Sequence, residues 1–351
     1  MFSKGSTRPI VGLEVEPGSV SAAEVVVNGA ITVRRAAVVP LHPGVVRDGE
    51  VADPSSLTEA LRAMWQEHKG MGKHVRIGVA NQRIVMRWVE LPPISDEKQL
   101  DAAVRFAAQD TVPMPLETAV LDWQSAGFVE TPQGPRLRVM VVAARRDMVE
   151  RVLGAASDAG LRVDGIDLSA FAMLRAVARG DDAAAVYLSI GGMTNLTVAE
   201  AGTCLFTRVS GGGLESVAVD LAERRGLTMD HARAWLGHVG LVAPLEEVEG
   251  DPEIVAGART ALLSGIHRIS SEVRTSLDFH QMQSESAATA SVEKVIITGP
   301  ATAIPGFSAA IGDQLSMPVE ERVIAVDGDD ITFAPGAVTV AAGLAVEERA
   351  A

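Results

Sequence analysis

Two stretches of this 351-residue chain carry the same succession of signals, and that repetition restricts the fold more than any other feature. In the first, a Val-rich run over 9–15 meets a turn at Pro17-Gly18, a run over 20–27 meets Asn28-Gly29, and a run over 30–39 ends at Pro40. Pro-Gly and Asn-Gly pairs supply the φ values of tight turns, so the runs predict a three-stranded meander. A helix over 55–68 follows, with a serine N-cap and with Leu57, Leu61, Met64 and Trp65 on one face. In the second stretch a strand over 183–190 turns at Gly191-Gly192, and a strand over 195–200 turns at Ala201-Gly202. A strand over 203–209 then precedes a helix over 214–225. Like order at like spacing is the trace of one duplicated unit.

Between the two copies lie strands near 74–80 and 84–91, then a segment opening at Leu91-Pro92-Pro93. Ser95 is the expected N-cap of a helix to 110 with Leu100, Val104, Phe106 and Ala107 as apolar members. Strands over 116–130 and 136–144 flank a Pro- and Gly-bearing turn, and a helix over 145–159 closes at Gly160. A strand over 161–168 and a helix over 169–179 complete the segment. After the second copy come a long helix over 253–284, a buried strand over 294–298 leading to Gly299-Pro300, and a further helix. A short strand near 322–326 and an apolar helix from Val338 end the chain.

The charge balance is 31 Lys+Arg against 45 Asp+Glu, a net −14, with no basic stripe to offset it. Such an excess repels phosphate backbones and argues against nucleic acid as a partner. The single cysteine, Cys204, excludes an internal disulfide framework and suits a reducing cytosol. No secretory signal stands at the start, and the longest uncharged stretches, 183–199 and 331–346, fall short of the ~20 apolar residues of a spanning helix. The last residues form no basic amphipathic anchor, so a membrane is expected to be reached only through a partner.

Hydrolase and metal signatures are missing: there is no G-x-S-x-G, no H-E-x-x-H and no Walker A loop. His231 and His238 lack an acid at ligand spacing and read as surface residues, while Glu246-Glu247 and the acids over 327–330 read as solvated loops. Neither a catalytic group nor a metal site is assigned. Two glycine turns, Gly191-Gly192-Met193-Thr194 and Gly211-Gly212-Gly213, leave two readings open. Free N–H groups beside a helix start suit a phosphate, and glycine equally permits a sharp strand exit.

The duplicated order with its inserted segment resembles the actin/hexokinase/Hsp70 superfamily. Within it the chain is similar to the PilM family of type IV pilus assembly, whose nearer cousin is the division protein FtsA. The most specific stretch is Leu91-Pro-Pro-Ile-Ser-Asp-Glu-Lys-Gln-Leu-Asp-Ala-Ala-Val-Arg-Phe-Ala-Ala-Gln-Asp-Thr-Val-Pro-Met-Pro-Leu-Glu117, followed by Leu121-Asp122-Trp123. It resembles the family's LP…S-x-x-E-L-x-x-A-I-R-x-E-A-x-x-Y-I-P-F-P…D pattern. Asp48-Gly49-Glu50, Ala159-Gly160-Leu161, Phe206-Thr207-Arg208 and Gly211-Gly212-Gly213 support it.

Against that resemblance the nucleotide motifs depart. The family's first phosphate loop, G-I-D-I-G-S-S-S-V-K, stands here as Gly12-Leu-Glu-Val-Glu-Pro-Gly-Ser-Val-Ser21, so its Asp is Glu14, its Gly is Glu16 and its Lys is Ser21. The second, D-I-G, is Ser189-Ile190-Gly191. The A-E-x-x-K helix of the adenine side is Ala232-Arg233-Ala234-Trp235-Leu236, and the S-G-G loop is Thr298-Gly299-Pro300, where proline removes a donor. Phosphoryl transfer relies on cations placed against spread negative charge. Like charges ~4 Å apart repel by several kcal/mol even near a surface. The added Glu and the lost Lys both oppose catalysis.

The resemblance implies an α/β, actin-like fold: two domains with duplicated ribonuclease-H-like cores and an inserted subdomain of PilM/FtsA type. The expected first domain is 8–89, 169–182 and the C-terminal helix 338–350. The insert is 90–168, and the second domain is 183–337. The implied function is a cytoplasmic scaffold of pilus assembly that binds the tail peptide of a PilN-like membrane protein, links it to pilus motor ATPases, and is a degenerate actin-like ATPase without a cofactor. The alternatives are an ATP-binding ATPase or switch using Mg²⁺, or an FtsA-like division protein. Any nucleotide would meet Glu14, Gly18, Ser19, Gly191, Gly192, Thr194, Gly211, Gly212 and Gly299. The tail peptide, with an Asn-Leu-Leu-Pro-like core, would lie in a groove beside Leu91, Arg105, Phe106, Asp110, Val112 and Pro113.

Overall fold

The computed structural model describes residues 10–132, 134–180, 182–283, 292–327 and 332–346. Parts of the expected elements and loops at 8–9, 284, 328–330 and 347–350 lie outside them. The chain divides into a larger compact unit, from residues up to 82 and from 155 onward, and a smaller one, Arg83–Gly154.

Strands β1 (Val11–Glu16), β2 (Ser19–Asn28) and β3 (Ala30–Pro40) form the first antiparallel meander, with Glu16 opposite Ser19 across the Pro17-Gly18 turn. Gly18 has φ +90°, which the second central position of a Pro-Gly turn requires. A small hairpin, β4 (Val46–Arg47) and β5 (Glu50–Val51), follows; two-residue strands leave no hydropathy period to detect. Helix α1 (Pro54–Glu67) is capped by Asp53, not by a serine: its carboxylate accepts from Ser56 N at 3.1 Å, and Pro54 at the first position has no N–H to strand. The expected face, Leu57, Leu61, Met64 and Trp65, is buried. Strand β6 (His74–Val79) then runs parallel to β1.

In the smaller unit β7 (Val85–Leu91), β8 (Ala119–Thr131) and β9 (Gly134–Arg145) make an antiparallel sheet in the order β7-β9-β8. Helix α2 (Glu97–Thr111) is capped by Asp96, one residue beyond the expected Ser95, with Gln99 N donating at 2.9 Å. It buries Val104 and Ala108 among Val89, Leu91, Val139 and Val141. The strand expected from 116 begins at Ala119, because Leu116–Thr118 coils into a 3-10 turn.

Helix α3 (Arg146–Asp158) leads to β10 (Arg162–Leu168), which pairs parallel with β6. This strand, expected within the insert, belongs by its hydrogen bonds to the first sheet. After α4 (Ser169–Val177) comes the second meander, β11 (Ala185–Ile190), β12 (Thr194–Glu200) and β13 (Thr203–Ser210). Helices α5 (Leu214–Arg225), α6 (Met229–Val239) and α7 (Pro252–Gln283) follow, then β14 (Lys294–Thr298), α8 (Phe307–Leu315), β15 (Val319–Glu321), β16 (Ala325–Val326) and α9 (Thr339–Ala345). Of the strand expected over 322–326 only β16 forms, and it pairs with β3; β15, just before that span, pairs with β14. Residues 325–326, expected in the second domain, therefore join the first sheet.

The duplication is explicit in the strand orders. The first sheet reads β3-β2-β1-β6-β10, with β16 added outside β3, and the second reads β13-β12-β11-β14-β15. Each has an antiparallel meander continued by two parallel strands. Helix α9 lies directly on β1: a Cβ at Gly12 would stand 1.8 Å from the Ala341 carbonyl oxygen, so no larger residue fits there. No helix among the described residues is long and apolar enough to cross a membrane.

Where the chain leaves the first sheet and later returns, a buried polar network joins the two passages. The Arg322 guanidinium, 6% exposed, donates to Asp182 at 2.6 and 2.8 Å, to Glu320 at 2.7 and 2.9 Å, and to the Val177 carbonyl at 3.0 Å. The Tyr187 hydroxyl and Lys294 also donate to Asp182. These donors hold Asp182 well below the usual carboxylate range and lower Glu320 to about 2. Arg322→Ala is expected to remove about 3–5 kcal/mol of stability by stranding the buried Asp182 charge, read as a lower denaturant midpoint. Because these carboxylates titrate lower folded than unfolded, their contribution is complete above pH of about 4 and is lost as pH falls toward 2. The acid limb of the wild-type stability curve should be steeper than that of the variant.

Candidate functional site

The glycine turns of the two meanders meet inside the larger unit. Glu14 and Glu16 project from β1 and are 7% and 6% exposed. Gly192 N donates to Glu16 Oε2 at 3.0 Å, and a Cβ on Gly191 would stand 2.2 Å from the same oxygen. The Pro17 carbonyl packs as tightly on Gly192, 2.0 Å from where a Cβ would be. Glu14 Oε1 and Glu16 Oε1 are buried without a hydrogen-bond partner among the described residues. Burial raises Glu14 well above the usual range, with the neighbouring Glu16 adding to it, and raises Glu16 to about 7 against the opposing Gly192 hydrogen bond.

Carboxylates also stand against the other glycines. Gly18 approaches Glu215, which Arg233 holds through two hydrogen bonds at 2.9 and 2.7 Å. Gly212 N donates to Ser210 Oγ at 3.0 Å, and that hydroxyl donates to Glu272, whose pKa burial raises. The Thr194 hydroxyl donates to the Gly212 carbonyl at 2.5 Å and ties the two glycine loops together. Gly211 faces Gln82 and Asp48, Gly49 faces Met193, and Gly299, at φ +90°, packs on the Ile190 backbone. Thus the residues expected around a nucleotide are brought together, Glu14, Gly18, Ser19, Gly191, Gly192, Thr194, Gly211, Gly212 and Gly299 included. The carboxylates that fill the space between them are Glu16, Glu215 and Glu272. Only Glu16 had a sequence signal, as a departure from a glycine motif. Glu272 sits mid-way along α7, where periodicity says nothing of a distant turn.

The expected peptide-binding residues all lie in the smaller unit. Leu91 and Val112 are buried in its core, at 7% and 4% exposure, while Asp110 and Pro113 are exposed. Arg105 is exposed and pairs with Asp101 one turn back at 2.9 Å. Phe106 is not a core residue: it is 71% exposed, whereas its neighbours Val104 and Ala108 are fully buried. His231 and His238 are exposed, His238 lying edge-on to Trp235, and among the described residues no group of acids, histidines or cysteines could hold a metal ion. Burial raises the Cys204 thiol to about 12, which makes it inert.

Comparison with known proteins follows the same outline. The sequence family described as type IV pilus assembly protein PilM matches residues 12–241. Among solved structures, the chain is similar to a protein of a PilM-PilN type IV pilus biogenesis complex, with a TM-score of 0.76 and 24% identity over 96% of this chain and 98% of that one. It is also similar to ethanolamine utilization protein EutJ from Carboxydothermus hydrogenoformans, with a TM-score of 0.54 and 15% identity over 96% and 91% of the two chains. MreB5 of Spiroplasma citri bound to ADP gives a TM-score of 0.51 and 12% identity over 96% and 95%. The fold is that of the actin-like proteins.

The buried carboxylates make stability fall with rising pH. An unfolded Glu16 ionises near 4.5 and the folded one near 7. Its penalty is therefore absent below pH 4.5, grows through that window, and reaches on the order of 3 kcal/mol above it. Glu16→Gln keeps an acceptor for Gly192 but carries no charge. It is expected to raise the denaturant midpoint at pH 8 and to leave it unchanged at pH 4, as chemical denaturation at the two pH values would read.

Proposed function

The chain belongs to the PilM family of type IV pilus assembly proteins, and from that premise we propose that it is a scaffold capturing the N-terminal tail of a PilN-like inner-membrane protein on the cytoplasmic side. The observation that carries this reading is Phe106. A large apolar side chain left 71% exposed on α2, next in sequence to Arg105 and about one turn before Asp110, offers the apolar anchor and nearby polar groups that an extended apolar peptide requires. The similar fold of a protein from a PilM-PilN complex supports the same partner class. Coupling to motor ATPases belongs to this reading as the scaffold's second contact.

The same proposal takes the protein to work without a nucleotide. The residues around the glycine turns do not fit a nucleoside triphosphate: the Gly192 N–H that would meet a phosphate is engaged by Glu16, and Arg233 is committed to Glu215. Buried carboxylates would repel the phosphates, and no lysine of the first loop balances them.

Titration calorimetry with a synthetic peptide of the PilN-like tail tests the partner. Phe106→Ala and Arg105→Ala are each expected to weaken binding by ~2 kcal/mol, about thirtyfold. Arg105→Ala should leave the thermal midpoint nearly unchanged, since its exposed pair with Asp101 contributes about 0–1 kcal/mol. Wild-type affinity in both variants would sink the assignment to α2. In the same instrument Mg·ATP should give no sub-micromolar binding; a sub-micromolar isotherm would favour the nucleotide-dependent alternative.

A further inference from the structure

A turn built to bind a phosphate presents inward-facing N–H groups, space for the anion, and glycine where a Cβ would intrude. The turn after β11 has the donor and the glycines, and its space is filled from within the chain. Glu16 Oε2 accepts from Gly192 N at 3.0 Å and lies so close to Gly191 that a Cβ there would have to displace the carboxylate. The contact joins the two meanders, since Glu16 ends β1 and Gly192 lies between β11 and β12. Backbone packing of Pro17 on Gly192, and of Gly18 beside the Glu215–Arg233 pair, surrounds it.

Packing alone does not call for an acid at this position. A carboxylate 6% exposed, with one oxygen unpartnered, is a costly way to fill space that glutamine or an apolar residue of similar size would fill at lower cost. What the side chain adds is a tethered carboxyl acceptor for an inward-facing N–H, the role a phosphate oxygen would fill. Its tether also favours it. A group attached to the same chain competes at an effective concentration on the order of millimolar or more, so free anions below that level do not displace it.

We propose that the Glu16 carboxyl is a resident acceptor that takes the place of a phosphate oxygen on the Gly191-Gly192 turn and keeps the two meanders of the larger unit latched together without any bound ligand. The latch goes beyond the scaffold reading: it makes the contact between the two meanders a property of the chain, not of a nucleotide, and leaves beneath the carboxylate a latent polyphosphate site.

Hydrogen exchange on the full chain, with and without millimolar inorganic tripolyphosphate, tests this. In wild type the amides of 190–194 should be protected, and tripolyphosphate should add nothing. In Glu16→Ala their exchange should accelerate by about tenfold or more, as expected when one hydrogen-bonded contact opens locally, while the β9 amides of the smaller unit stay unchanged. Tripolyphosphate should restore the protection in that variant, and Glu16→Gln, which keeps an acceptor, should resemble wild type. Unchanged exchange in Glu16→Ala would overturn the latch, and so would added protection of wild type by tripolyphosphate. Opening without rescue would overturn the assignment of the turn as an anion site. Should Glu16→Ala fail to fold, Glu16→Ser carries the same comparison. Tail-peptide capture is not read in this experiment, so failure of the latch leaves the α2 reading standing, and the reverse.

Discussion

The contact of Arg322 with Asp182 is the constraint on which the larger unit rests. The chain passes from the first sheet to the second through 178–184 and comes back through 322–324, and this ion pair joins the two passages. Neither charge can be left alone at that depth, so Arg322 spends its planar fork on two carboxylates and a backbone carbonyl, while Tyr187 and Lys294 complete Asp182. With the crossing held in one geometry, β16 can return to β3 and α9 can settle on β1. The turn after β1 is then presented to the turn after β11. A hydrophobic pair would fill the same volume but would not set direction, because burial alone has no angular preference.

Within the frame so fixed, the two polar clusters of the larger unit have opposite electrostatic character. At the crossing every carboxylate has cationic or hydroxyl donors, and Asp182 and Glu320 are driven toward ionisation. At the glycine turns Glu14 and Glu16 are buried with few donors and resist it. The first cluster stabilises the fold at neutral pH; the second costs stability there. Selection retains a cost of that kind where conformation or binding depends on it. The smaller unit has no such tension. Its buried face is aliphatic, its charged groups are mostly at the surface, and two of its phenylalanines, Phe106 and Phe128, are turned outward.

Much of this was legible before any coordinates. Pro17-Gly18 and Asn28-Gly29 mark their turns because few residue pairs tolerate those φ values, and the structure has strand ends on both sides of each. Buried strands such as β11 and β14 announce themselves by unbroken apolar runs. Caps were displaced by one or two residues, since serine and aspartate compete for the same N–H groups and Asp53 and Asp96 win both contests. The exposure of Phe106 could not be read in advance for a different reason. Helical spacing cannot distinguish a stripe edge that is covered from one that is bare, and α2 is flanked on only part of its circumference.

The sequence by itself determined the duplicated meander, and its match to the PilM sequence family showed the family. The meander is a property of neighbouring residues, carried by turn chemistry and short-range periodicity. Only the tertiary structure decided what stands against the glycine turns: Glu16 on Gly192, Glu215 on Arg233, and Glu272 on Ser210. Each of these pairs joins positions 18 to 176 residues apart. Register and backbone approach, set by whole-chain packing, bring such positions together, and no local pattern encodes a contact between side chains so far apart in the chain.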